Sequence, residues 1–125
     1  MATIYSIRIN VEANENRFHI EWFRGMEEEL LDRFPATAPI TDAESRELWQ
    51  IPEYQPDIGN KLFRFLDGDS RHLMLALADA NNQGVQLQLH IRTCNQAMDW
   101  PFELLAQEKT FLVPYRVHLI RRVSD

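Results

Sequence analysis

The chain has very little cysteine, little glycine and no long apolar run. Its single cysteine, Cys94, rules out an internal disulfide framework and a cysteine-based zinc site. Four glycines among 125 residues cannot assemble most glycine-dependent motifs. There is no phosphate-cradling glycine loop, no Gly-x-Ser-x-Gly elbow, no His-Glu-x-x-His and no calcium loop. The longest apolar stretches are a few residues, far below the ~20 that span a bilayer. The amino terminus lacks a basic lead followed by an apolar run, so no secretory signal is expected and the chain reads as cytoplasmic.

A basic excess is also missing. Thirteen Lys and Arg face nineteen Asp and Glu, a net charge of -6, which is the wrong sign for a chain that grips phosphate backbones. No nucleic-acid or membrane partner is therefore expected. The charge is uneven: residues 1–60 hold 12 acids and 5 bases, residues 61–125 hold 7 and 8. Much of the excess lies in Glu27, Glu28, Glu29 and Asp32, read as a solvated face.

What is present is the composition of one ordinary globular domain, 45% hydrophobic and 26% charged. At this length a core forms without staples. Residues 4–11 alternate, with Tyr5, Ile7, Ile9 and Val11 on one face, and Phe18, Ile20 and Trp22 alternate with His19 and Glu21. Around the polar turn Asn14-Glu15-Asn16 these predict an antiparallel hairpin. After Gly25, four prolines at 35, 39, 52 and 56 break any regular pattern, and short helices joined by loops are expected. Thr41-Asp42-Ala43-Glu44 is a capping box opening a helix that ends near Trp49.

Asp57 is expected to cap the next helix, with Ile58, Leu62, Phe65 and Leu66 on one side and Asp67-Gly68-Asp69 as its stop. A third helix runs from Ser70, with Leu73, Leu77 and Ala80 as a stripe and Gly84 as a left-handed closing residue. Residues 85–91 alternate as a strand with Gln86, Gln88 and His90 on the wet side. Pro101 suits a helix's first turn, which predicts a short helix there. Residues 111–122 predict a strand or strand pair bent at Pro114, with Tyr115, Val117 and Leu119 on one face. The order predicts an α+β (or α/β) fold: a mixed β-sheet with an N-terminal hairpin and helices packed on it.

Candidate chemistry is sparse. His19, His72, His90 and His118 have no ligand-like spacing, and His90 and Cys94 on an extended chain are about 13 Å apart, too far to share a metal. The histidines read as structural and Cys94 as a passive thiol, since nothing local supplies it with a base. Tyr115-Arg116 and Arg121-Arg122 read as solvated strand ends.

The segment 86–122 says more. An alternating strand, a connector, then Trp100-Pro101-Phe102-Glu103-Leu104-Leu105 and an arginine-rich strand resembles the region just ahead of the peptidase core in CHAT-domain proteins, bacterial relatives of caspases and separases. The hallmark of that family is usually Leu-Pro-Trp-Glu-Leu-Leu. Trp100 stands at its first Leu, Pro101 at its Pro and Phe102 at its Trp, a departure that keeps an aromatic, while Glu103, Leu104 and Leu105 match as they stand. The resemblance implies a structural hallmark with Glu103 accepting from amides or an arginine, and no catalytic site: the family's His is followed by Gly, and no His-Gly pair occurs here. It implies that residues 1–125 are a single domain, either the non-catalytic amino-terminal regulatory or interaction module of a longer peptidase in bacterial defence or cell death, or a free-standing relative without activity. The expected partner is a downstream caspase-like domain or another protein, and no cofactor is implied. The strand 117–123, stopping at once at the end of the chain, reads as an interrupted domain.

Two other readings stand beside it. One is a stand-alone protein-binding or dimerisation module, a homodimer included, with the hairpin 4–22 as its edge and Tyr5, Trp22 and Phe23 as contacts. The other is a small enzyme using Cys94 with a histidine.

Overall fold

In the computed structural model, which describes residues 5–14, 17–24, 29–113 and 115–123, the alternating hairpin of the amino-terminal region becomes β1 (Tyr5–Asn14) and β2 (Arg17–Arg24). The two pair antiparallel in register, Ile9 opposite Trp22 and Val11 opposite Ile20. Glu15 and Asn16 of the expected turn, Gly25, Glu27, Glu28, Pro114 and the side chain of Tyr5 lie outside the described residues.

The region where only short helices are expected begins instead with a strand, β3 (Leu30–Ala36). It pairs antiparallel with β2, His19 opposite Pro35. Pro35 is tolerated because β3 is a sheet edge and needs no amide proton on its free side. The apolar pattern hid this strand: Leu30 and Leu31 are exposed, while Asp32 and Phe34 are half-buried. Asp32 can sit there because His72 Nε2 lies 2.7 Å from its Oδ2.

The capping box forms as expected. Thr41 N–H donates to Glu44 Oε1 at 2.9 Å and Glu44 N–H to Thr41 Oγ1 at 3.1 Å, opening α1 (Asp42–Arg46), after which 3₁₀ turns at Leu48–Gln50 and Pro52–Tyr54 lead on. Next come α2 (Gln55–Asp67) and α3 (His72–Asn82). Asp57 does not cap α2 as expected but lies inside its first turn, because the preceding 3₁₀ turn at Pro52–Tyr54 runs straight into the helix. Asp67 takes a capping part elsewhere: its buried Oδ1 accepts from Met74 N–H at 2.9 Å, in the first turn of α3. Gly84, at φ +68, follows α3 in the left-handed conformation expected of it.

The clearest alternation becomes β4 (Leu87–Thr93), whose odd residues are buried and whose even ones are half-buried. Then follow the short pair β5 (Ala106–Gln107), which the sequence does not announce, and β6 (Thr110–Phe111), and after them β7 (Val117–Val123). Among the described residues, the strand or strand pair expected over 111–122 is thus present only at its two ends, which do not pair with each other. Tyr115 is not on the strand face with Val117 and Leu119. It precedes β7 and is 86% exposed.

The architecture is α+β: among the described residues, a mixed five-stranded sheet in the order β3-β2-β1-β4-β7 and three α-helices, of which α2 and α3 supply the helical side of its core. The first three strands run antiparallel, and β1, β4 and β7 are parallel. Ile7, Ile9, Val11, Ile20, Trp22, Leu87, Leu89 and Ile91 share one face and form a single core with Ile58, Leu62, Leu66, Leu73 and Leu77 of the helices. Trp22 Nε1–H donates to the carbonyl of Leu66 at 2.9 Å, fixing the end of α2 against β2. The opposite face of the sheet is polar, and among the described residues no helix covers it.

This order removes the edge role expected of the hairpin. β2 is covered by β3 and β1 by β4, so among the described residues the sheet edges are β3 and β7. Trp22 is 1% exposed and belongs to the core, and Phe23 is half-buried with the Arg8 guanidinium 4.2 Å above its ring; neither is a free contact residue.

Candidate functional site

The segment 100–105 is built against α2. Trp100 is 5% exposed and its ring meets Phe18 at 5.0 Å, Phe65 at 5.4 Å and Phe102 at 6.3 Å, an aromatic cluster that ties β2 and α2 to this segment. Phe102 and Leu105 are fully buried. Pro101 does not open an α-helix as expected. It sits at φ -82, ψ 70, and only a single 3₁₀ turn, Phe102–Leu104, follows, because Leu105 turns extended into β5.

Gly59 of α2 makes the close seating possible. A Cβ there would stand 2.0 Å from the carbonyl oxygen of Leu104 and 2.9 Å from the Ala106 Cβ. One residue on, Asn60 clamps the turn after β5: its Oδ1 accepts from Glu108 N–H at 2.8 Å, and its Nδ2–H donates to the carbonyls of Pro56 and Glu108.

Glu103 points the other way, to β7. Arg121 Nη1–H donates to Oε1 at 2.8 Å and Oε2 at 3.0 Å, while Nη2–H donates to the Met98 carbonyl at 2.7 Å. The guanidinium also lies 5.4 Å from the Phe102 ring centre. A guanidinium fork is suited to hold a carboxylate and a carbonyl together in this way. Of the two kinds of partner expected for Glu103, backbone amides or an arginine, it has an arginine, supplied by the edge strand 18 residues later.

The histidines are scattered. His72 pairs with Asp32, and His19, His90 and His118 lie on the polar sheet face. Cys94 is half-buried after β4, its amide bound to the Val11 carbonyl at 2.9 Å, and among the described residues its thiol has no hydrogen-bond partner. No group of three metal-ligating side chains converges among the described residues. An open groove of about 930 Å³ lies between β3 and α2, bordered by Phe34, Pro39, Lys61, Arg64 and Asp69. Its Lys61 is already bound to Glu44 Oε2 at 2.6 Å.

The Asp32 and Glu44 pairs make stability acid-sensitive. The hydrogen bond from His72 holds the Asp32 carboxyl below its ordinary value of 3.8, and that from Lys61 holds Glu44 below 4.5. Below these values the unfolded chain binds more protons than the folded one, so this stabilisation is complete above about pH 5 and is lost as the pH falls through the lowered folded values. Urea unfolding at pH 7 and pH 3.5 is expected to show a smaller pH-dependent loss in Asp32→Asn and Glu44→Gln than in the parent. An unchanged pH dependence in both variants would remove the two pairs as its source.

Compared with known protein families, curated proteins and solved structures, the chain matches none. No helix among the described residues is long and apolar enough to cross a membrane.

Proposed function

We propose that the chain is a non-catalytic regulatory module of a CHAT-type, caspase-like cysteine peptidase, packing against the caspase-like domain through β7. The setting that the resemblance implies is cytoplasmic bacterial defence or cell death. The observation carrying the proposal is the bond between Glu103, in the segment matching the family hallmark, and Arg121 on β7. It couples the hallmark to a strand whose outer edge has no partner among the described residues. A parallel edge strand with half-buried Leu119 and Ile120 and an exposed Val123 is suited to extend its sheet into a neighbouring domain. In this reading Cys94 has no catalytic part and the aromatic cluster is a scaffold.

Two measurements test it. Reading the source genome beyond the codon for Asp125 is expected to find the frame running on to a His-Gly pair and a later cysteine; an immediate stop codon would sever the link to a peptidase. In the full-length protein, the β7 amides are expected to exchange with solvent at least about tenfold more slowly than in residues 1–125 alone. Equal exchange would show that β7 is not the docking edge. A dimer of residues 1–125 with β7 protected would assign that edge to a second copy of the chain.

A further inference from the structure

The polar face of the sheet carries carboxylates at Glu12 and Glu21, the latter taken by Arg33, and a group of cations on β1, β4 and β7 that no ion pair among the described residues reaches. The register sets Arg8 beside His90 on β1 and β4, and Arg92 beside Arg122 on β4 and β7. Paired residues on neighbouring strands are about 4.8 Å apart and residues two apart on a strand about 6.7 Å, so these four side chains rise from one small patch. Together with Ile91 they line a cavity of about 40 Å³, room for one small polar group.

The ion pairs of the fold leave this patch alone: Arg33 takes Glu21, Lys61 takes Glu44, His72 takes Asp32 and Arg121 takes Glu103. Among the described residues no carboxylate pairs with Arg8, Arg92 or Arg122. Among the described residues three polar atoms of this face are buried without hydrogen-bond partners: the donor Nε of Arg8, whose guanidinium lies over the Phe23 ring, and, outside the cavity lining, Oδ1 of Asn10 beside Arg92 in the register and Nδ1 of His19. A buried cationic N–H without an acceptor is unfavourable, and an anion's oxygen would satisfy it. His90 is held below its ordinary pKa by burial first, and then by the neighbouring charges of Arg122 and His118. All this stands on a chain whose net charge is -6.

We propose that this cavity binds a phosphate group, as the free anion or as a phosphomonoester, between Arg8, Arg92 and Arg122. Three guanidinium groups match a dianion better than the single charge of a carboxylate. Phosphate also brings several acceptor oxygens for Arg8 Nε, and the free hydrogenphosphate dianion carries a hydroxyl that can donate to Asn10 Oδ1; a carboxylate offers no such donor. The site is independent of the docking edge, since these side chains stand on a sheet face and not at the outer edge of β7.

The test is an NMR titration of the 125-residue chain at pH 7 with inorganic phosphate and, separately, glycerol phosphate, each against sodium chloride at equal ionic strength. Saturable shifts at His90 and Arg122 with millimolar or tighter affinity are expected, together with a rise in the His90 pKa. Arg122→Gln, an exposed position, and Arg92→Gln should each weaken binding about tenfold, while Lys109→Gln, remote from the cavity, should not. Tighter binding of the ester would make an esterified phosphate the ligand; equal binding would make it the free anion. Shifts that chloride reproduces, or equal binding by Arg122→Gln, would overturn the proposal.

Discussion

Replacing Phe102 with alanine is expected to cost about 3 kcal/mol, the loss typical of a fully buried aromatic truncated to a methyl. For a domain of this size that lowers Tm by roughly 10 °C. The ring is fully buried, and it connects Trp100 on one side with the Arg121 guanidinium on the other. Truncation opens a cavity beneath the Glu103–Arg121 pair and loosens the junction between α2 and β7. Phe102→Leu, which refills much of the volume, should recover more than half of the loss. A Tm change within about 2 °C for Phe102→Ala would place the ring outside the core.

The second large effect is at Gly59, where alanine should destabilise although it sits inside a helix. In an exposed helix interior, Gly→Ala stabilises by up to about 1 kcal/mol because alanine restricts the unfolded chain and has the higher helix propensity. Here the added methyl would fall 2.0 Å from the Leu104 carbonyl oxygen, a backbone atom that no rotamer change can move aside. Either α2 shifts or the 102–106 segment lifts, and the expected cost is about 3 kcal/mol, at the upper end for overpacking. Thermal unfolding of Gly59→Ala beside Gly84→Ala separates the causes. Gly84 has open space around its Cβ position and only its positive φ to lose, so its cost should be the smaller. A Gly59→Ala protein as stable as the parent would mean that α2 and the segment do not meet so closely.

Much of the architecture was legible along the chain. The hairpin, the capping box at Thr41, the stripe of Leu73, Leu77 and Ala80, the closing Gly84 and the alternation of β4 are local signals, and each has a local cause in side-chain period or backbone capping. β3 was not legible, because the inward run Asp32, Phe34 and Ala36 begins with a carboxylate and the exposed positions include Leu30, Leu31 and Pro35 beside Arg33, which blurs the alternation of a simple amphipathic strand. Only the His72 partner, 40 residues away, makes Asp32 acceptable there. The short turn after Pro101 was overestimated for a related reason. Proline permits a helix start, but the buried Leu105 and the β5–β6 pairing pull the chain extended after one turn.

The candidate sites divide in the same way. Segment 100–105 stands out in the sequence by its residue types, and its burial follows from them. That Glu103 meets Arg121, and that Gly59 lets the segment approach α2, depends on elements far apart in the chain. The cation patch had no sequence signal, because Arg8, His90, Arg92 and Arg122 come from three strands and look like ordinary wet-face residues on each.

By itself, then, the amino-acid sequence determined a cysteine-poor, acidic α+β domain with its strands and helices largely placed, since period, capping and turn chemistry act within a few residues. Tertiary structure alone decided which strands are edges, which charges find partners and which do not, because strand order and parallel register join residues that no local rule connects.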